Sequence, residues 1–217
     1  SFHLGFAYSY NALLHVLRRE PEQVRHYAQA TLQIGADHGL DVWTIIGAPY
    51  LGVADAWQDR PQSAIETLTT SLATWRAVGI ELNRAYLLGG LAEAYRAAGQ
   101  FERALETVAE ALVHVEQHGE LFYQPVLCHL RGELILSHSS TAAGEAEASF
   151  RQAIAIAQSQ QAKSLELRAT TSLCRLLASQ GKGREAYSLL HEIFGWFTEG
   201  FDTPDLRKAS SLLAELR

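Results

Sequence analysis

Gly39, Gly79 and Gly119 recur at a fixed interval of 40 residues, each just after the last turn of a long helical pattern, at His38, Val78 and His118. A period of this length marks a chain of stacked supersecondary units, so it limits the fold before any motif is considered. A second break divides each unit: Asp59-Arg60-Pro61 in one, Gly99-Gln100-Phe101 in the next, Gly181-Lys182-Gly183 near the end. The unit therefore reads as helix, tight turn, helix, glycine stop. Glycine suits the stop because the residue beyond a helix end often turns left-handed, and Pro61 suits a helix start because its missing N–H would be unpaired there anyway. Apolar residues fall at i, i+3, i+4, i+7 almost throughout, with no sustained alternation, which predicts an all-α chain.

Small residues identify the kind of hairpin. In "LLGGLAEAYRAAGQFERALETVAEAL", Leu91, Ala92 and Tyr95 share a face of one helix, and Ala104 and Ala111 share a face of the next. The stretch resembles the tetratricopeptide pattern, in which a small residue on each helix lets two backbones approach closely. Counting back 40 gives Leu51, Gly52, Ala64 and Ser71. Counting forward, Gly132, Ala148 and Ala155 fit if "SHSSTAAG" inserts about four residues, followed by Leu173, Cys174 and Ala186; Ala12 and Val24 make the first unit the poorest match. The expected fold is an all-α, right-handed, tetratricopeptide-like superhelix of about five helix pairs plus a C-terminal capping helix. It forms a single repeat domain over 1–217 with units near 1–39, 40–79, 80–119, 120–161 and 162–198, and a cap over 204–216. With no Met anywhere in the chain, the domain reads as a piece of a longer protein.

The tail, "FGWFTEGFDTPDLRKA", gathers Phe194, Trp196, Phe197 and Phe201 around two glycines. Thr203 as N-cap, Pro204 at the first helical position and Asp205 in the first turn predict a short final helix. Its stripe of Leu206, Ala209, Leu212, Leu213 and Leu216 would cover the last apolar face of the array. Trp196, Phe197 and Phe201 would then pin the connector by burial; the alternative is an exposed aromatic patch that binds a partner.

At 47% hydrophobic and 19% charged, the chain is long enough for a sizeable core and has no run approaching a membrane span. A formal charge of -6 without a basic run argues against nucleic acid as a partner. Cys128 and Cys174, far apart in helical apolar patterns, read as reduced thiols of a cytoplasmic protein. "QGKGRE", Gln180 to Glu185, has lysine and glycine but lacks the phosphate-loop spacing and falls on an inter-helix turn. No Gly-x-Ser-x-Gly elbow occurs. His114 and His118 share a helix face as zinc ligands do, yet Glu116 is displaced from the zincin position and no third ligand is evident in sequence. No catalytic, cofactor or metal residue is therefore assigned.

"GEAEASFRQAIAIAQSQQAKSLELRATTSLCRLLASQGKGREAYSLLHEIFGWFTEGFDTPDLRKASSLLAEL", about a third of the chain, resembles the C-terminal end of large bacterial signalling proteins, "AKSLELRA" and "FTEGFDTPDL", with "RGELIL" just upstream, being its most specific phrases. In that family a class III cyclase, winged-helix or LuxR-type domain precedes a nucleotide-binding ATPase domain and a long tetratricopeptide region. The resemblance implies a non-catalytic module that senses a protein, peptide or ligand and regulates the fused domains. The rival reading is a scaffold that pairs two copies of the parent into a homodimer.

Recognition by such an array would use the wall formed by the first helix of each pair. The repeat register places Tyr50, Val53 and Trp57 there from the second unit, Tyr86, Glu93 and Arg96 from the third, His129 and Glu133 from the fourth, and Arg168 and Arg175 from the fifth. Ordinary packing between neighbouring units is the competing expectation for Trp57 and Tyr86, and ion pairing for the arginines. Gly47 and Pro49 predict a kink near Ile46, Pro125 a kink or a late helix start, and Ser137 to Glu145 a mobile loop.

Overall fold

A computed structural model describes residues 1–217, the side chain of Ser140 excepted. Eleven α-helices and no strand are present among the described residues. In chain order they are α1 (Phe2–Arg18), α2 (Pro21–His38), α3 (Asp41–Trp57), α4 (Pro61–Ala77), α5 (Arg84–Ala97), α6 (Phe101–His118), α7 (Gln124–His138), α8 (Ala143–Ser159), α9 (Lys163–Ser179), α10 (Gly183–Phe194) and α11 (Pro204–Glu215). No helix is long and apolar enough to cross a membrane among the described residues. The helices group into two compact units, Ser1–Glu120 and Leu121–Arg217.

In the first unit the chain reverses through left-handed residues at Arg19, Gly39, Asp59, Gly79, Gly99 and Gly119. The spacing is half the repeat: each helix of a pair ends the same way as its partner. Gly39 and Gly119 carry this conformation without the steric cost that a Cβ imposes, whereas Arg19 and Asp59 bear that cost. The hairpins α1–α2, α3–α4 and α5–α6 close on small residues. A Cβ on Gly52 would come within 2.7 Å of Leu68, and one on Gly90 within 2.7 Å of Val53. Ala12, Ala64, Ala92 and Ala104 are fully buried at the same kind of contact, as the pattern requires.

Helix α3 continues through Pro49 from Asp41 to Trp57. Proline has no N–H to give to the carbonyl four residues back, which is that of Ile45. The indole N–H of Trp75 on α4 donates to this oxygen at 3.0 Å instead. The unit thus accommodates an internal proline by pairing the freed carbonyl across the hairpin.

In the second unit a 3-10 turn (Leu121–Tyr123) leads into α7, and Pro125 occupies its first turn, so this proline marks a late helix start. Phe150 of α8 packs on α7 at Gly132, where a Cβ would come within 2.5 Å of the ring. The expected small residues of α8 require a correction: Ala148 and Ala155 are exposed, and Ala146 and Ala153 are buried in their place. The insertion is therefore two residues, because Ala104 to Ala146 spans 42 positions. An alanine-rich helix offers small side chains on several faces, and only packing selects one of them. Likewise, the stretch expected to be a loop, Ser137 to Glu145, consists of the end of α7, a 3-10 turn (Ser140–Ala142) and the start of α8, with only Ser139 outside.

Cys174 of α9 is buried, and its thiol donates to the carbonyl of Ala186 on α10 at 3.2 Å, so it serves as the small residue of this hairpin. α11 packs on α9 and α10 through Leu206, Ala209, Leu212 and Leu213. Each leucine removed from water contributes about 2 kcal/mol. Arg168 of α9 fastens the first turn of α11 by donating to Asp205 at 2.7 Å and 3.0 Å. Thr203 holds the N-cap position, but its hydroxyl donates to the Gly200 carbonyl at 2.8 Å and caps no N–H of the helix.

Candidate functional site

The residues expected to line a recognition wall separate into two groups. Tyr50, Val53 and Tyr86 are buried in the first unit, where the Tyr50 and Tyr86 rings lie 5.5 Å apart between α3 and α5. Burial raises the Tyr50 phenol beyond its ordinary range. Trp57, Glu93 and Arg96 come together around Arg19, which the sequence did not single out. Arg19 sits 5.2 Å over the Trp57 ring and donates to Glu93 at 2.7 Å; Arg96 donates to the other oxygen of Glu93 at 2.6 Å. Burial by itself would raise the Glu93 carboxyl, but the charges and hydrogen bonds of Arg19 and Arg96 outweigh it and hold the group down at about 2.

In the second unit His129 is buried, 2.9 Å from the Ser172 hydroxyl and 3.6 Å from the half-buried Glu133. Arg168 is committed to Asp205, and Arg175 projects into solvent. Ionic partners thus account for Glu93, Arg96 and Arg168, while Trp57, Glu133 and Arg175 keep accessible surface.

The tail aromatics differ from the pinned arrangement expected of them. Trp196 is 60% exposed and Phe201 49%, whereas Phe194 and Phe197 are half-buried. The connector is held by its short turns and by Phe194 against Phe201 at 5.8 Å, leaving the indole outward. Trp196 borders a cleft of about 550 Å³ formed by α8, α9 and α10. Ile154, Leu173 and Leu189 give it an apolar lining, and Arg151, Lys163 and Glu192 give it charge. Glu166 in its wall is internally satisfied, accepting from Lys163 at 2.7 Å and Gln158 at 2.8 Å. Sequence reasoning missed this cleft because its residues come from the second helices of two pairs and the base of a third helix.

Comparison with known proteins agrees with this architecture. Residues 43–113 match the tetratricopeptide repeat family model. A crystal structure of putative kinesin light chain repeats from Podosopora anserina is 20% identical, with a TM-score of 0.58 over 78% of this chain and 82% of that one. The apo form of RapI is 14% identical, with a TM-score of 0.60 over 99% of this chain and 83% of that one. BtubC from P. vanneervenii is 17% identical, with a TM-score of 0.55 over 88% of each chain. Among curated proteins none matches the chain. The chain therefore contains a tetratricopeptide-repeat region, and its fold is that of tetratricopeptide-like hairpins. Repeats of this class are protein-interaction modules, generally without catalysis.

Proposed function

We propose that this chain is the recognition and regulatory module of a bacterial signalling protein, binding a protein or peptide partner and controlling fused ATPase and cyclase or DNA-binding domains. The parent architecture rests on the resemblance of the tail. The recognition role rests on one observation above all: the open cleft of α8 to α10 with Trp196 standing beside it. A large exposed indole next to an apolar floor with a charged rim is the composition from which binding anchors are made. Glu133 of α7 and Arg175 of α9, on the first helices of their pairs, are the second candidate group in the second unit, and Trp57 of α3 is a separate candidate in the first.

Peptides selected from a displayed library against the full 217-residue chain provide the test. Binding to the cleft predicts that Trp196→Ala weakens the selected peptides at least tenfold while Arg175→Glu leaves them unchanged. The reverse result would move recognition to the other surface, and insensitivity to both changes would remove the role from either.

A second reading is favoured by α1. Phe2, Leu4, Phe6, Tyr10 and Leu14 are all about half exposed on that helix, an unusual apolar load for an outer face. Pairing of two copies through this face is the rival function. Light scattering at micromolar concentration distinguishes them: a dimer dispersed by Phe6→Glu supports pairing, and a monomer excludes it.

A further inference from the structure

The first unit places a carboxylate beside two histidines that sequence alone leaves without a third ligand. His114 and His118 lie one turn apart at the end of α6, their rings stacked 4.0 Å apart. Glu81, from the connection between α4 and α5, reaches the same spot, and one ligand atom from each of the three lies within 4.8 Å of the others.

The hydrogen bonds determine which nitrogens are available. His118 Nδ1 is 3.2 Å from the carbonyl oxygen of His114, and His114 Nε2 is 3.2 Å from the carbonyl oxygen of Glu81. A carbonyl only accepts, so each of these nitrogens carries the proton. That leaves the lone pairs on His114 Nδ1 and His118 Nε2. His114 Nδ1 faces the Glu81 carboxylate, Oε2, at 3.9 Å, and that oxygen also accepts from Arg84 Nη1 at 3.3 Å. A histidine whose second nitrogen is fixed on a backbone carbonyl is the usual form of a metal ligand, because the carbonyl sets both tautomer and ring orientation.

We propose that Glu81, His114 and His118 bind a zinc ion. Two imidazoles and a carboxylate with one position left for water match its preferred donors and number. Tetrahedral donors at zinc stand about 3.3 Å apart, so the site closes by a contraction together with a turn of the exposed His118 ring out of its stack on His114, because nearly parallel rings aim their lone pairs side by side. His114 is 4% exposed and serves as the fixed member, while Glu81 and His118 reach solvent and adjust. Other charged groups face the site. Arg84 touches Glu81 at 3.3 Å and would retain Glu110, at 2.9 Å. Glu120, whose Oε2 is 3.9 Å from His114 Nε2, is occupied by the backbone N–H groups of Asn83 and Ala85. The bound ion would clamp the end of α6 to the start of α5.

Equilibrium dialysis of the full chain against zinc chloride, with magnesium chloride as control, tests the proposal. The expected result is one zinc fewer per chain in His118→Ala, and at least tenfold weaker binding at that site in Glu81→Gln. The wild type should also gain thermal stability with zinc but not with magnesium, and His118→Ala should lose that gain. Because His118 is exposed, its replacement leaves the fold intact. Equal zinc uptake and equal thermal response in the wild type and both variants would overturn the site, as would a wild type that ignores zinc.

Discussion

Glu93 is a buried carboxylate of the first unit that two arginines, Arg19 and Arg96, share. Its carboxyl is held near 2, against an ordinary 4.5, by Arg19 and Arg96. A carboxyl depressed on folding contributes stability that is fully present above about pH 4.5 and lost as pH falls towards 2. The shift corresponds to roughly 3 kcal/mol at neutral pH. Glu93→Gln is expected to lower stability at pH 7 by about that amount and to flatten the acid limb of a urea-denaturation series; an unchanged pH profile would show that the two arginines act independently of this carboxylate. Asp55 is lowered in the same direction: burial alone would raise it, and bonds from Arg25 and Ser63 overcome that effect. Both acids are visible in the sequence, but their partners are not. Arg19 and Glu93 are 74 residues apart, and nothing local marks Arg19 as more than a basic turn residue.

At the scale of the element, α3 shows how a helix-breaking residue is accommodated. Because Pro49 cannot donate to Ile45, the Trp75 indole supplies that carbonyl's hydrogen bond. Trp75→Phe should therefore cost more than its lost packing, by about 1–3 kcal/mol for an unsatisfied buried carbonyl. In Pro49→Ala the helix can supply its own N–H, so adding Trp75→Phe to that background should cost less than in the wild type. A double-mutant cycle by denaturant melts measures this coupling, and additive changes would show that the indole bond contributes nothing beyond shape. The proline was legible as a perturbation of the helix. That its carbonyl would be satisfied from α4 was not, since the donor lies 30 residues away. The same holds for α8, where composition allowed several small-residue registers and the Phe150 ring on Gly132 selected one.

At the scale of the whole molecule, both thiols belong to the second unit and both are buried. Burial pushes the Cys174 thiol up to about 12, so the reactive thiolate is scarce at neutral pH. Alkylation of the native chain should therefore be slow and should follow opening of the second unit, rising with urea in step with loss of its helical signal. Fast modification without denaturant would mean that α9 and α10 part locally. The sequence's identification of the cysteines as interior helix residues agrees with this burial. The aromatic tail was legible as a cluster, but not as an outward one, because the exposure of Trp196 depends on how tightly the turn after α10 folds back.

The sequence by itself determined the order of helices and turns and the identity of most of the small contact residues. These are local properties: glycine and proline punctuate a helix through their own backbone, and apolar spacing selects one face. The tertiary structure decided which side chains meet. It brought Arg19 to Glu93, Trp75 to Ile45, Glu81 to His114 and Trp196 to the rim of a cleft, because each pairing joins residues from different helices or turns whose approach is fixed only when hairpins pack.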